Sequence, residues 1–133
     1  MATGYMNTFI TVAPDCPVAV GVPPAMPTSI AGLEHAFLVN APYTLTGDDL
    51  IFAVYLRHKS IHDDADLQAI RTAFFSKPHP CLRASMLPKR YGWGAHFDAQ
   101  GRIAIYGAET DDYRRFSTGN GLKVIPAMRN RKG

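Results

Sequence analysis

The stretch WGAHFDAQGRIAIYG, residues 93–107, predicts a β-hairpin whose register decides how the rest of the chain folds. Gly101 suits the left-handed position that closes a three-residue hairpin loop. With this loop Phe97 pairs with Ile103, and the apolar residues of the hairpin collect on one face. A two-residue loop would pair Phe97 with Arg102 and scatter the apolar residues over both faces. The three-residue loop is therefore predicted, because it allows one face to be buried.

This register gives the hairpin an apolar face and a polar face. The apolar face carries Trp93, Ala95, Phe97, Ile103 and Ile105. The polar face carries Gly94, His96, Asp98, Arg102, Ala104 and Tyr106. We expect the apolar face to lie against the core and the polar face to meet water, with His96 beside Tyr106.

Two further strands are predicted around the hairpin. Residues 6–13 combine alternation with Thr, Ile and Val, and residues 122–128 form a last strand at an edge, since Pro126 cannot donate to a ladder. A short helix is expected at 110–116 and three helices between the first strand and the hairpin. The order β-α-α-α-β-β-α-β predicts an α+β fold: a small antiparallel or mixed sheet of about four strands with helices packed on one face.

The first of these helices begins near Thr28 or Ser29, either of which can cap it, and ends at Pro42. We expect Glu34 and His35 to point away from the core. The apolar stripe of this helix comprises Ile30, Leu33 and Phe37.

The second segment, residues 46–59, is open to two interpretations. Its run LIFAVYL has the composition of a buried strand, whereas Thr46 followed by Asp49 resembles a helix capping box. We predict a helix. A third helix is predicted to start at Asp63 or Asp64. Its buried stripe comprises Leu67, Ile70 and Phe74.

The bulk composition predicts one globular domain, residues 1–133. The formal charge is +3, and residues 129–133 are expected to form a basic, flexible tail that carries three of the cations. No secretory signal and no membrane-spanning run is recognisable, so the cytoplasm is the expected compartment. Cys16 and Cys81 are expected to be separate buried thiols rather than a disulfide.

Motifs for phosphate loops, dinucleotides, nucleophilic serine or zinc are absent from the sequence, and no cofactor or metal is predicted. The candidate site is instead the connection FFSKPHPCLRASMLPKRYGWGAHFD, residues 74–98, which is as readily interpreted as a proline-stiffened scaffold. His79 and His96 are the candidate acid–base groups, and Cys81 is a candidate reactive thiol. The candidate ligand-binding residues are Arg83, Ser85, Lys89, Arg90 and Tyr91.

These residues predict binding of a small anionic molecule, with or without catalysis, over residues 76–96 and the adjacent hairpin face. Two alternatives remain open. Lys89, Arg90 and Tyr91, with the basic tail, mix cations and an aromatic ring as single-strand nucleic-acid sites do, although nucleic acid ranks below a small molecule. The connection could also build the contact of a homodimer.

Several stretches resemble a family of small, uncharacterised bacterial proteins with a domain of unknown function. They are MNTFITVAPDCP (6–17), FFSKPHPCLR (74–83) and LPKRYGWGAHFD (87–98), together with GRIAIYG and LKVIPAMR. The resemblance begins at Met6, so residues 1–5 are expected to be an optional extension. It implies no activity, ligand or catalytic residue.

Overall fold

The computed structural model describes residues 5–61, 66–119 and 121–130. In chain order the elements are β1 Thr8–Thr11, α1 Ile30–Asn40, α2 Gly47–His58, α3 Leu67–Phe74, a 3-10 turn Leu82–Ala84, α4 Met86–Arg90, β2 Trp93–Phe97, β3 Ile103–Gly107, α5 Asp111–Ser117 and β4 Lys123–Pro126. The predicted α+β class and element order are confirmed, with α4 added before β2. Within the described ranges no helix is long and apolar enough to cross a membrane.

The four strands form one mixed sheet in the order β3-β2-β1-β4. Strand β1 is central: it pairs antiparallel with β2 and parallel with β4. β4 lies at an edge, as Pro126 predicts. At the other edge the Tyr43 N–H donates to the Ile103 carbonyl at 2.8 Å, and the Ile103 N–H donates to the Leu45 carbonyl at 3.0 Å. This short segment covers the open edge of β3.

The predicted hairpin register is confirmed. Phe97 pairs with Ile103, and the Asp98 N–H donates to the Arg102 carbonyl at 2.9 Å, which closes the loop. Gly101 adopts φ +78°, the left-handed conformation that the loop requires. An Asp98 carboxylate oxygen accepts the N–H of Gln100 and of Arg102, each at 2.9 Å, so the loop also satisfies its own backbone donors.

The predicted apolar face of the hairpin lies in the main core. Ala95, Phe97 and Ile103 are buried there against side chains from α1, α2 and α4. Trp93 is only half-buried, and its indole N–H donates to the Val22 carbonyl at 2.8 Å, which ties the N-terminal connection to the sheet. Burial of this face removes apolar surface from water and so stabilises the fold.

The opposite face of the sheet is also covered, by α5. Phe9 of β1 is fully buried and meets Tyr113 and Phe116 of α5 at ring-centroid distances of 5.1 and 5.5 Å. Gly94 leaves the space that these rings need, since a Cβ at this position would lie 2.6 Å from both Phe9 and Tyr113. The expectation that this face meets water is wrong, because aromatic side chains of α5 pack on it.

Helix α1 buries a different side from the one that the sequence predicts. Ser29 caps it as expected, with its hydroxyl oxygen accepting the Gly32 N–H at 3.1 Å. However, Ile30 is 54% exposed and Glu34 only 7% exposed. The prediction that Glu34 points away is wrong because α4 packs against this side of α1. There Ser85 donates a hydrogen bond to the carboxylate.

The helical interpretation of residues 46–59 is confirmed. Thr46 and Asp49 form a capping box in which the Asp49 N–H donates to the Thr46 hydroxyl oxygen at 3.2 Å. Helix α3 begins at Leu67 with Asp66 as its cap, and Asp63 and Asp64 lie outside the described residues. No side chain of α3 is buried, so the predicted buried stripe is wrong: Leu67 is 38% exposed and Ile70 and Phe74 are half-buried.

The short helix α4 was not predicted because Pro88 was interpreted as part of a rigid loop. Ser85 caps the helix, and Pro88 is its third residue. The N–H groups of the first helical turn have no partner within the helix, so proline is tolerated there without loss of a hydrogen bond. Much of the connection between α3 and β2 is therefore regular structure.

The hairpin loop provides a direct test of the fold. We predict that Gly101→Ala lowers the free energy of unfolding by about 1–2 kcal/mol, because a Cβ is unfavourable in the left-handed conformation. The Cβ would also lie 3.2 Å from the Tyr5 carbonyl oxygen. Urea unfolding followed by circular dichroism measures the change, with Gln100→Ala in the same loop as the control. Equal stability of the two variants would contradict the assigned loop.

Candidate functional site

Ser85, a candidate ligand-binding residue, makes two hydrogen bonds within the fold. Its hydroxyl oxygen accepts the Leu87 N–H at 3.0 Å and so caps α4, while its O–H donates to Oε1 of Glu34 at 2.7 Å. Burial raises the pKa of the Glu34 carboxyl to about 7, and the hydrogen bond from Ser85 partly opposes this rise. The pair joins α1 to α4 on the core side of the sheet.

Arg83 binds backbone rather than an acidic side chain. Its Nε donates to the Pro126 carbonyl at 2.9 Å, and its own carbonyl accepts the Met128 N–H at 2.8 Å. Both bonds hold the chain at the end of β4. The Arg83 side chain therefore secures the edge of the sheet.

His79 and Cys81 also have partners close by. The His79 ring stacks on Phe74 with centroids 3.7 Å apart, and its Nε2 lies 2.7 Å from the Phe74 carbonyl oxygen at the end of α3. The Cys81 sulfur lies 3.4 Å from the Tyr5 hydroxyl, and burial, followed by this contact, raises the pKa of Tyr5. Cys16 and Cys81 are both unbridged and only half-buried.

The last three candidates of the connection lie at the end of α4. The Lys89 carbonyl accepts the Asn130 side-chain N–H at 2.8 Å, Arg90 is exposed, and Tyr91 packs against the core. Asn130, in the predicted tail, also donates to Asp15. With Tyr91 and Trp93 engaged by the protein, the described residues here do not form an open aromatic platform.

His96 lies on the other face of the sheet, apart from the remaining candidates. Its Nδ1 lies 2.7 Å from the Tyr43 hydroxyl, which in turn lies 2.8 Å from the Tyr106 hydroxyl. The imidazole stacks on Phe116 of α5, with centroids 4.1 Å apart and planes 13° apart. We call Tyr43, His96, Tyr106 and Phe116 the hairpin-face cluster.

The hairpin and its neighbouring segment assemble this cluster. Within β2 and β3, His96 pairs with Ala104 and Gly94 pairs with Tyr106, so His96 and Tyr106 share one face. Tyr43 comes from the segment that pairs with the outer edge of β3. Because Ala104 stands between that edge and His96, its small side chain leaves room for the phenol to reach the imidazole.

Tyr43 holds its position at a conformational cost. Its φ is +56°, in the left-handed region that residues with a Cβ rarely adopt. Strained residues of this kind gather at functional sites, where surrounding contacts hold them in place. Here those contacts are the backbone bond to Ile103 and the two hydroxyl contacts with His96 and Tyr106.

The surroundings of the cluster favour neutral side chains. Burial lowers the pKa of His96, and the nearby Arg115 lowers it further, while Asp98 acts in the opposite direction. Burial also raises the pKa of Tyr43, with Tyr106 as the next cause. At neutral pH the imidazole is thus uncharged and the Tyr43 phenol keeps its proton.

The hydrogen-bond chain can run in two directions. If Tyr43 donates to Nδ1, the other ring nitrogen, Nε2, carries a proton; if Nδ1 donates to Tyr43, Nε2 is an acceptor. Nε2 forms no hydrogen bond with a described residue, and no buried side-chain polar atom in the described ranges lacks a partner, so part of Nε2 is accessible to solvent. The two directions correspond to the two neutral tautomers of His96, so passing from one to the other requires loss of a proton from one ring nitrogen and gain of a proton at the other, together with reorientation of the two O–H groups.

The sequence identified part of this cluster. The hairpin register placed His96 and Tyr106 on one face, but Tyr43 and Phe116 were missed as partners of His96. Phe116 could have been found had the second face been recognised as covered. Tyr43 carries no local signal, because its position depends on a contact with Ile103, far away in sequence.

Comparison with known proteins gives a family but no activity. A family model described as a family of unknown function, DUF6157, matches residues 1–133. The chain belongs to this family. The match also includes residues 1–5, ahead of the Met6 at which the resemblance was recognised. No curated protein and no solved structure matches the chain.

Glu34 makes stability depend on pH. Its pKa is about 7 in the folded protein and 4.5 when exposed, so the folded state holds its proton more tightly. The contribution of the protonated Glu34 carboxyl to the free energy of unfolding is therefore fully present below pH 4.5 and is lost as the pH rises to about 7. We predict that the wild type loses about 2–3 kcal/mol between pH 5 and pH 8 relative to Glu34→Gln.

Urea unfolding of both proteins at the two pH values measures this difference. At pH 5 the two should be similarly stable, because glutamine is nearly isosteric with the protonated carboxyl and can accept the Ser85 bond. Parallel pH profiles would contradict a buried, titrating Glu34.

The pKa of His96 is also measurable. We predict that ¹⁵N-detected NMR titration gives His96 a pKa below its ordinary value of 6.5, and that Arg115→Gln raises it because one source of charge repulsion is removed. Arg114→Gln, one residue earlier on α5, is the matched control. A His96 pKa above 6.5 would mean that the imidazole is not desolvated.

Proposed function

We propose that this protein binds a small anionic molecule at the hairpin-face cluster and that His96 exchanges a proton with it. The observation that carries the proposal is a chain of two hydrogen bonds. The Tyr43 hydroxyl lies 2.7 Å from Nδ1 of His96 and 2.8 Å from the Tyr106 hydroxyl. This chain leaves Nε2 partly accessible to solvent and able to donate or to accept. General acid–base sites need such a group near neutral pH.

Two arginines near the cluster support an anionic ligand. Arg102 immediately precedes β3, on the side that Ala104 and Tyr106 share by alternation; it is exposed and forms no side-chain ion pair with a described residue. Arg115 lies over the Phe116 ring at 5.0 Å and pairs with Asp112 at 3.0 Å. A guanidinium can bind a carboxylate or phosphate through two hydrogen bonds.

The anion-binding role thus moves from the predicted connection to the hairpin face. Arg83 binds the Pro126 carbonyl, and Ser85 binds Glu34 on the other side of the sheet. Lys89 and Arg90 lie at the end of α4, away from His96. Of the predicted residues, His96 is the one that this proposal retains.

The proposed compartment remains the cytoplasm, which suits two cysteines that are unbridged. No described contact favours the nucleic-acid or homodimer alternatives, and both stay predictions. No reaction is assigned, because proton exchange at Nε2 fits several reaction classes.

The test is a ligand screen with phosphate, sulfate and small mono- and dicarboxylates. We expect at least one anion to raise the melting temperature of the wild type, because a ligand that binds the folded state stabilises it. Arg102→Gln should weaken the binding of that anion about tenfold, a loss of about 1.4 kcal/mol in binding free energy. Arg90→Gln, a matched exposed arginine outside the cluster, should leave binding unchanged.

His96→Gln and Tyr43→Phe test the proton-handling part. Both should weaken binding and reduce its dependence on pH between 5 and 7. If Arg90→Gln rather than Arg102→Gln weakens binding, the site lies on the connection instead. If no anion stabilises the wild type, anion binding at the cluster is wrong.

A further inference from the structure

A cavity of about 330 Å³ lies between α1, α2 and the start of α3, and it shares no residue with the hairpin-face cluster. The described residues that line it are Phe37, Ala53, Leu56, Arg57, Ser60, Ile61 and Leu67. The volume falls in the range of small-molecule sites, about 300–1,000 Å³.

Apolar and polar atoms contribute equally to the exposed surface of the cavity, and several of the apolar side chains that line it are only partly buried. Helix α3 has no buried side chain, and Leu67 at its start is 38% exposed although it faces this space. Phe37 of α1 is only half-buried. An apolar ligand would remove this surface from water, which favours binding.

Arg57 supplies a cation at the edge of the cavity. Its guanidinium carbon lies 5.4 Å from the centre of the Phe37 ring, and it forms no ion pair with any residue in the described ranges. The end of α2 does not need it as a cap. The carbonyls of Tyr55, Leu56 and Arg57 already accept N–H groups from Lys59, Ile61 and Ser60, at 3.0, 2.9 and 3.2 Å.

Ser60, which also lines the cavity, has an unusual backbone conformation. Its φ is +54°, in the left-handed position after a helix where glycine is the common residue. A serine here is less favourable than glycine, because its Cβ crowds the left-handed conformation. Its side chain adds a hydroxyl group to the residues that line the cavity.

We propose that this cavity binds a small monocarboxylate with an apolar body. The carboxylate would bind the Arg57 guanidinium and the Ser60 hydroxyl, and the body would pack among Phe37, Ala53 and Leu56. The charge on Arg57 selects an acid over an uncharged analogue of the same shape. This site is independent of the proposed function at the hairpin face.

The test compares 4-phenylbutyrate with 4-phenylbutan-1-ol by isothermal titration calorimetry and NMR. These probes share an apolar body and differ in the carboxylate. The wild type should bind the acid about tenfold more tightly than the alcohol. Arg57→Gln should reduce the affinity for the acid to that for the alcohol and leave the affinity for the alcohol unchanged.

Ala53→Leu should abolish binding of both probes, because the larger side chain fills the cavity. Arg102→Gln, which tests the hairpin face, should change neither. The proposal is overturned if neither probe binds at millimolar concentration, or if Arg57→Gln leaves the preference for the acid intact. If Arg102→Gln abolishes acid binding instead, the acid occupies the hairpin face, which overturns the cavity site and supports the other proposal.

Discussion

The pairing of Phe97 with Ile103 is the constraint on which the rest of this structure depends. It decides which side chains of β2 and β3 face the core and which face α5. β1 pairs with the free edge of β2, and the segment at Tyr43 pairs with the free edge of β3. A slip of one residue would exchange the two faces and leave Phe97 and Ile103 outside the main core.

The two faces of the sheet have different characters because different elements cover them. Against α1, α2 and α4 the buried side chains are mostly aliphatic, with Phe97 as the buried aromatic residue among them. Against α5 they are aromatic and include an imidazole and phenols whose polar atoms bond to one another. Polar groups removed from water need hydrogen-bond partners, and on this face the imidazole and the phenols supply them to one another. The result is a hydrogen-bond chain that is partly shielded from solvent. This is the setting in which an acid–base side chain acquires a shifted pKa.

The connection before the hairpin shows why residue types alone do not locate a site. Its histidine, serine and arginine have the side chains that a binding site would use. In the fold, His79 meets the end of α3, Ser85 caps α4, and Arg83 holds the end of β4. Each partner is a backbone group or a buried side chain whose position comes from packing. The same polar atoms serve binding or scaffolding according to what lies within hydrogen-bond distance.

The sequence alone determined the α+β class, the order of the elements, the hairpin register and the capping of α1 and α2. Those features depend on residues close together in the chain: a glycine in a turn, a serine or threonine before a helix, and alternation along a strand. Only the tertiary structure decided that Glu34 is buried, that α5 covers the second face, and that Tyr43 reaches His96. Such contacts join residues distant in the chain, and their geometry follows from how helices and strands pack. The local sequence pattern does not determine that packing.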